Sequence, residues 1–309
     1  MLRPALVWIL LSCLWGSTWI AIKIGLKDLT PLWLASGRLA IGLIPLAFLT
    51  IRRRSKFPID RRVWLLMAVT GILNFSTNHG LVFWAELHIS SGLAAVLFTF
   101  LPLFGMVISH FYRRTETFTL GKLSGILLGM VGVALIFRQQ LFAADALSLL
   151  ACLAVLAAAL GVAFSGVLIK AHGTHLDLVQ LTTFQIAAGL IPLVAVAMIY
   201  EPLPKVTEIS LSTWASMSHL GLFGTATGFV LANWLLKVTS VTLAQLIPIA
   251  ATLVAVILGW VVLNEPMLPG SLFGGFLIFA GLLVVQWQSR RRRISIRPAM
   301  APVCQASAE

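Results

Sequence analysis

Few polar side chains interrupt the long apolar runs of this 309-residue chain, and Arg38 is the most expensive of them. It stands about seven residues into the run 32–51, roughly 10 Å below the edge at ~1.5 Å rise per residue. At such a depth in a bilayer an arginine costs ~2.5 to 3.5 kcal/mol even on the lenient insertion scale. One use for it is as a cation that meets a carboxylate or other acidic group on a solute. The other is structural, with the guanidinium snorkelling outward or tied to helix carbonyls. Gln185 occupies a comparable place in the run 178–200 and suits a gate or hinge.

Neutral polar residues follow the same pattern. Asn74 and Asn78 are four apart, hence on one face of a helix. Asn74, Trp15 and Thr225 fall near the middle of their runs, and Thr18 lies one turn from Trp15. Together they could form a pocket with an aromatic wall and a few hydrogen-bonding groups, or they could bond across helices as glue at ~0.6 kcal/mol each. His79 points about 100° away from Asn78 and is a proton-sensitive group or a neutral packing residue. No Asp or Glu lies in the central part of any run. Proton-driven carriers usually depend on such a carboxylate, so facilitated diffusion or exchange is favoured, with His79, His110 and His219 as the intramembrane alternatives for proton coupling.

The elements that must hold these residues are apolar helices. The chain is 59% hydrophobic and 10% charged, against about 25% charged in a soluble domain. Ten runs near the ~20 residues that cross a bilayer as helix cover 5–24, 32–51, 63–84, 92–111, 121–137, 147–169, 178–200, 214–236, 242–263 and 268–288. The first continues past Trp15 with no small-residue cleavage site and reads as a spanning helix, not a signal peptide. Cys13, Cys152 and Cys304 show no metal-ligand or CxxC spacing, so neither a metal nor a cofactor is expected.

The net charge of +12 is explained by its distribution and not by nucleic acid. With the N-terminus inside, Arg3, Arg52, Arg53, Arg54, Lys56, Arg61, Arg62, Arg113, Arg114, Lys122, Lys170, Lys237, Arg290, Arg291, Arg292, Arg293 and Arg297 fall on the cytoplasmic side. Lys23, Lys27, Arg138 and Lys205 fall outside. This asymmetry predicts both termini in the cytoplasm, with the basic tail "SRRRRISIR" facing anionic lipid.

The chain also repeats. "GLIPL" occurs at 42–46 and 189–193, and at the same offset of 147 Lys23 aligns with Lys170. At an offset of 149, Ser91, Ala95, Leu97, Glu116, Gly121, Gly125 and Gly132 align with Ser240, Ala244, Leu246, Glu265, Gly270, Gly274 and Gly281. Each copy holds five runs, and an odd number turns the second copy over in the membrane. The expected fold is therefore all-α and integral to the membrane, with ten transmembrane helices as two inverted five-helix repeats over residues 1–143 and 144–289 and a disordered tail over 290–309. Inverted repeats are characteristic of secondary transporters, in which two halves rock around a site near the midplane.

"LWGSTWIAIKIGL", "SGLAAVLFTFLPLF", "GKLSGILLGMVGV" and "GSLFGGFLIFAGL", with Glu116 and Glu265 between runs, resemble the two EamA repeats of the drug/metabolite transporter superfamily. The resemblance covers nearly the whole chain. It implies a ten-helix permease of a bacterial-type inner membrane, usually exporting amino acids or other small metabolites. Two departures stand out. Pro102 matches the family's proline, whereas its counterpart is Ala251 and the proline sits three residues earlier as Pro248; Thr115 and Asn264 replace a common glycine. Glu116 and Glu265 each precede a helix and suit the positive end of its dipole at ~0.3 to 1 kcal/mol. Gly121, Gly125, Gly129, Gly270 and Gly274 have the spacing that lets helices approach closely, which makes helices 5 and 10 a scaffold or a homodimer face.

An intramembrane enzyme would need HExxH, paired aspartates or a Ser with a His base, none of which appears at usable spacing. A facilitator or channel-like pore and a non-transporting scaffold or sensor are the other readings. A pore would want a continuous polar stripe, and a sensor would want a soluble output domain. The expected partners are a small solute and the lipid bilayer. In this topology Asp28 and Asp60 lie on opposite faces. A membrane-impermeant thiol reagent added outside should label an Asp28→Cys chain and spare an Asp60→Cys chain until the membrane is opened.

Overall fold

The computed structural model describes residues 3–53, 60–85, 87–89, 94, 97–112, 119–136, 146–263 and 269–296. Glu116 and Glu265 lie outside the described residues. The described chain is helical and contains no strand. Its elements are α1 (Pro4–Gly25), α2 (Pro31–Arg52), α3 (Arg61–Gly71), α4 (Asn78–Ala85), α5 (Leu101–Phe111), α6 (Leu120–Ile136) and α7 (Ala146–Leu168). They continue with α8 (Leu178–Tyr200), α9 (Leu211–His219), α10 (Gly228–Val238), α11 (Val241–Gln245), α12 (Ile247–Leu263) and α13 (Pro269–Ile296). Among the described residues, five helical stretches are long and apolar enough to cross a membrane: Pro4–Ile22, Pro31–Arg52, Ala146–Gly173, Leu178–Tyr200 and Leu211–Val238. Their outward faces are apolar, with Ile44, Leu153 and Ile199 each more than half exposed. Lipid is the solvent those faces require, since helices satisfy their backbone groups internally. The protein is a multi-pass membrane protein.

The runs around residues 72 and 220 are not plain α-helix. A π-helical stretch, π1 (Ile72–Thr77), joins α3 to α4; π2 (Ile169–Gly173) ends α7; and π3 (Leu220–Thr227) joins α9 to α10. Such i→i+5 segments are rare and concentrate at functional sites. The prolines also differ from a simple kink. Pro102 sits in the first turn of α5 and Pro248 in the first turn of α12, each just past a break in the rod. There a proline loses no hydrogen bond. The stretch from residue 290, expected to lack order, continues α13 as helix as far as Ile296. Arginine is among the better helix formers, so the polar change alone does not end the helix.

Packing partnerships come in pairs. Helix α1 lies along α12, and α7 along α5; α1 also touches α9 and α10, and α7 touches α4. The α3–π1 stretch packs on α8, and the α9–π3 stretch packs on α2. Exchanging each element for the one about 148 residues away converts one set into the other. Two contacts map onto themselves, α2 on α8 and α6 on α13.

Glycines set the closest of these contacts. A Cβ on Gly42 of α2 would lie 2.7 Å from the Gly221 carbonyl, and one on Gly221 would lie 2.8 Å from the Arg38 carbonyl. In the other half, a Cβ on Gly189 of α8 would lie 2.8 Å from the Gly71 carbonyl, and one on Gly71 would run into the backbone of Gln185. The glycines of α6 and α13 are spent the same way: Gly125 meets the Gly281 carbonyl at 2.8 Å, and Gly132 meets Gly274. That face is occupied within the chain.

Helices α2 and α8 are antiparallel and tied at both ends. Pro31 opens α2 with no side-chain cap of its own. The Glu201 carboxylate, just beyond α8, receives hydrogen bonds from Thr30 Oγ1 (2.6 Å) and from the backbone amides of Leu32 (3.0 Å) and Trp33 (3.2 Å). At the opposite end Thr50 and Thr183 hydroxyls pair at 2.9 Å and Arg53 approaches Asp177 at 3.7 Å. Asp28 lies at the Glu201 end and accepts from the Ser210 amide at 2.9 Å, which holds its carboxyl below the usual range chiefly through the Ser210 hydroxyl. At the Asp177 end, Lys170 Nζ donates to the carbonyls of Leu236 (2.7 Å) and Thr239 (2.7 Å), where α10 runs out of amide partners.

Two outcomes follow from these contacts. Gly71→Ala should lower thermal stability in detergent by ~1 to 3 kcal/mol, as overpacking against immovable backbone does. Gly80→Ala, whose Cβ would meet only Leu193 Cδ1 at 3.9 Å, should leave the melting temperature within a degree or so. Because its folded pKa is depressed, Asp28 supports its contact with Ser210 fully above the unfolded value and loses it as pH falls below about 4 and through the folded pKa. Amide exchange at Ser210, corrected for intrinsic rate, should lose protection over that window, and Asp28→Ala should abolish the step.

Candidate functional site

The polar residues singled out in the sequence meet where α1 and α2 face π3. Arg38 is buried, with 6% of its surface exposed, so it does not snorkel to the membrane edge. Its Nε donates to Thr225 Oγ1 at 3.1 Å, the one hydrogen bond it makes among the described residues. Thr225 is itself fully buried and on π3. Trp15 Nε1 donates to the Gly224 carbonyl at 3.1 Å, and Thr18 Oγ1 turns back to the Trp15 carbonyl at 2.6 Å. Gly224 keeps the spot open, since a Cβ there would lie 3.0 Å from Thr18 Cγ2 and 3.6 Å from Arg38 Nη2. Trp15, Thr18, Arg38 and Thr225 thus form one cluster around two residues of π3.

The remaining candidates belong to the other π stretch. Asn74 is buried on π1, and Asn78 is half-buried at the start of α4 with its Oδ1 lacking a hydrogen-bond partner. The wider turn of π1 takes the two asparagines out of the strict α register that four-residue spacing implied. His79 is buried, and its Nδ1 lies 2.8 Å from the Phe75 carbonyl, with Phe75 stacked against it and Phe83 edge-on. That carbonyl can only accept, so Nδ1 carries the proton. A row of rings joins the two halves of the cluster: Trp15 to Phe229 at 5.5 Å, and Phe229 to Phe75 at 4.5 Å.

Gln185 is fully buried and fully engaged. Its Nε2 donates to Thr70 Oγ1 at 2.7 Å, and its Oε1 accepts from Asn233 Nδ2 at 3.0 Å. Asn233 also donates to Thr182 Oγ1 at 3.0 Å. Both groups of the Gln185 amide are matched by protein, whereas a guanidinium has five N–H donors and Arg38 spends one. An interhelical hydrogen bond in a membrane is worth ~0.6 kcal/mol on average and at most about 2, less than the ~2.5 to 3.5 kcal/mol the arginine costs. The protein offsets part of that cost and no acidic side chain among the described residues offsets the rest.

Phe75, Phe229, Gly224 and Asn233 escaped the reading of the sequence. The signal for the segment that carries them is an offset of 150, at which Trp64, Met67, Gly71, Thr77 and Trp84 align with Trp214, Met217, Gly221, Thr227 and Trp234. His219 pairs with Ser17 Oγ at 3.1 Å, away from the cluster. A separate open groove of about 700 Å³ between α5 and α7 is lined by apolar groups such as Val107, Leu160 and Phe164, with Tyr112 beside them and its hydroxyl paired with His172 at 3.0 Å.

Comparison with other proteins agrees with the helical architecture and the doubled sequence. The YoaV protein of Bacillus subtilis strain 168, called an uncharacterized transporter, is 27% identical over 294 residues, 95% of this chain and 100% of its own. The YedA protein of Escherichia coli K12, called an uncharacterized inner membrane transporter, is 28% identical over 307 residues, 97% of this chain and 95% of its own. A Chlamydia trachomatis S-adenosylmethionine/S-adenosylhomocysteine transporter is 24% identical over 290 residues, 90% of this chain and 88% of its own. A solved crystal structure superposes with a TM-score of 0.79 at 19% identity, covering 93% of this chain and 98% of that one, which is a likeness of fold. The profile of the EamA-like transporter family matches twice, over residues 3–138 and 149–287, and the chain therefore belongs to that family.

Proposed function

We propose that the chain is a permease that moves small organic metabolites by alternating access, with the Arg38 cluster as its solute site. The carrying observation is the matched pair of close contacts. Arg38 and Gly42 of α2 meet Gly221, and Gln185 and Gly189 of α8 meet Gly71. In this reading the halves are inverted five-helix repeats that cross the membrane ten times, with both termini in the cytoplasm. Rocking of one half against the other exposes the site first to one face and then to the other.

Three observations support it. The ties near Asp28 and Glu201 belong to one end of the bundle and those near Asp177 and Lys170 to the other, as alternate crossings require. At the Asp177 end one buried apolar cluster joins Val7, Met67, Val167, Leu181, Leu235 and Val241 from both halves. The equivalent side chains at the opposite end fall into two separate clusters, one with Ile22, Leu34 and Met217 and the other with Ala85, Ala94 and Val155. A bundle sealed at its cytoplasmic end and parted at the outer one has this pattern. His79, with its proton committed to Phe75, fits a packing role better than a coupling one, so exchange or facilitated diffusion is the favoured energetics. Self-association through α6 and α13 would use their outer flanks, such as Val131 and Phe276.

Growth of an expressing strain on toxic metabolites and amino-acid analogues tests the reading. Wild type should confer resistance to at least one compound; Asn74→Ala and Arg38→Gln, present at equal levels in the membrane, should reduce it tenfold or more. Unchanged resistance in both variants would remove the cluster from the pathway.

A further inference from the structure

We infer that the Arg38 site selects organic anions, solutes with one acidic group and an apolar body, over cations and zwitterions. The inference rests on the permease reading for its site and goes further in fixing the charge of the cargo. Arg38 is a buried, permanently charged group whose one described protein partner, Thr225, is neutral. The described acids are committed elsewhere. Asp28 binds Ser210, Asp60 and Asp177 cap α3 and α8, Glu201 caps α2, and Glu208 pairs with Lys205 at 2.9 Å. All of them stand at helix ends or in connections, so none can serve as a counter-charge at the level of π3. Over the described residues the site therefore carries a net positive charge in a low-dielectric surrounding, where a matching carboxylate or other acidic group gains a charge-assisted, bidentate pairing.

The same geometry works against other cargo. A cation brought beside Arg38 meets a like charge with no carboxylate among the described residues to screen it. An amino-acid zwitterion satisfies the guanidinium but brings its ammonium within short range of the same positive charge. The rings of Trp15, Phe229 and Phe75 instead offer an apolar wall next to the acidic group's position. Aromatic carboxylates thus fit both halves of the site.

An indole series that varies in charge tests this: indole-3-acetate, indole-3-acetamide, tryptamine and L-tryptophan. On purified full-length protein, calorimetry should show indole-3-acetate binding at least tenfold tighter than the other three. Arg38→Gln should lose that preference, and Arg38→Lys should keep its direction. In proteoliposomes of wild type, which need no variant, an interior-positive potential should speed uptake of labelled indole-3-acetate. The inference is overturned by tryptamine, the amide or tryptophan binding as tightly as the acid, by Arg38→Gln binding the acid as wild type does, or by none of the four binding. Arg38-dependent binding of the acid without any uptake would sink the permease reading and leave the charge selection standing. Uptake of tryptamine alone would do the reverse.

Discussion

Everything at the centre of this protein depends on how near two irregular helical stretches can come to two continuous α-helices. The backbone of π3 reaches α2 because Gly42 and Gly221 have no side chain to hold them apart, and π1 reaches α8 through Gly71 and Gly189. A methyl group at any of these positions would meet opposing backbone at 2.8 Å or less, and the helices would have to move apart. At Gly42 or Gly221 that movement would loosen the bond from Arg38 to the Thr225 hydroxyl. Packing of small residues supplies association energy in a membrane where no hydrophobic force draws helices together. Here it also fixes the register of the polar groups.

The two halves share this backbone arrangement and fill it differently. Around Gln185, both groups of the amide are met: Gln185, Thr70, Asn233 and Thr182 bond to one another. Around α2, the corresponding position is a cation with a single hydroxyl for company. Buried polar groups are normally matched, and a buried charge more strictly still. A duplicated framework with a paired neutral amide at one position and a cation at its counterpart is the asymmetry on which the proposed site at Arg38 rests.

Much of this was legible in the chain and some was not. The apolar runs, the doubled pattern and the cost of Arg38 are properties of composition and spacing, and they led to an all-helical membrane protein and to four residues that do meet. The π stretches could not be read, because Ile72–Thr77 and Leu220–Thr227 have no composition that separates i→i+5 from i→i+4 bonding; tertiary contact decides it. The offset changes separately, from 147 at the glycine of α2 to 150 at Trp64, ahead of both π stretches, because the second copy has a longer connection between the two helices. Partners far apart in sequence were equally hidden. Nothing near Glu201 announces that it caps a helix starting 170 residues earlier, and nothing near Asn233 announces Gln185.

That cap has a mechanical consequence. Helix α2 has its first turn gripped by the carboxylate at the end of α8, and its last turns are held by Thr183 and Asp177 at the start of the same helix. Two antiparallel rods joined at both extremities form a single axle through the thickness of the protein, with an interior proline in each, Pro45 and Pro192. Flexing has to be taken up around that axle, at the glycine bearings where π1 and π3 touch it, and a covalent rivet between the rods would leave the turning parts free.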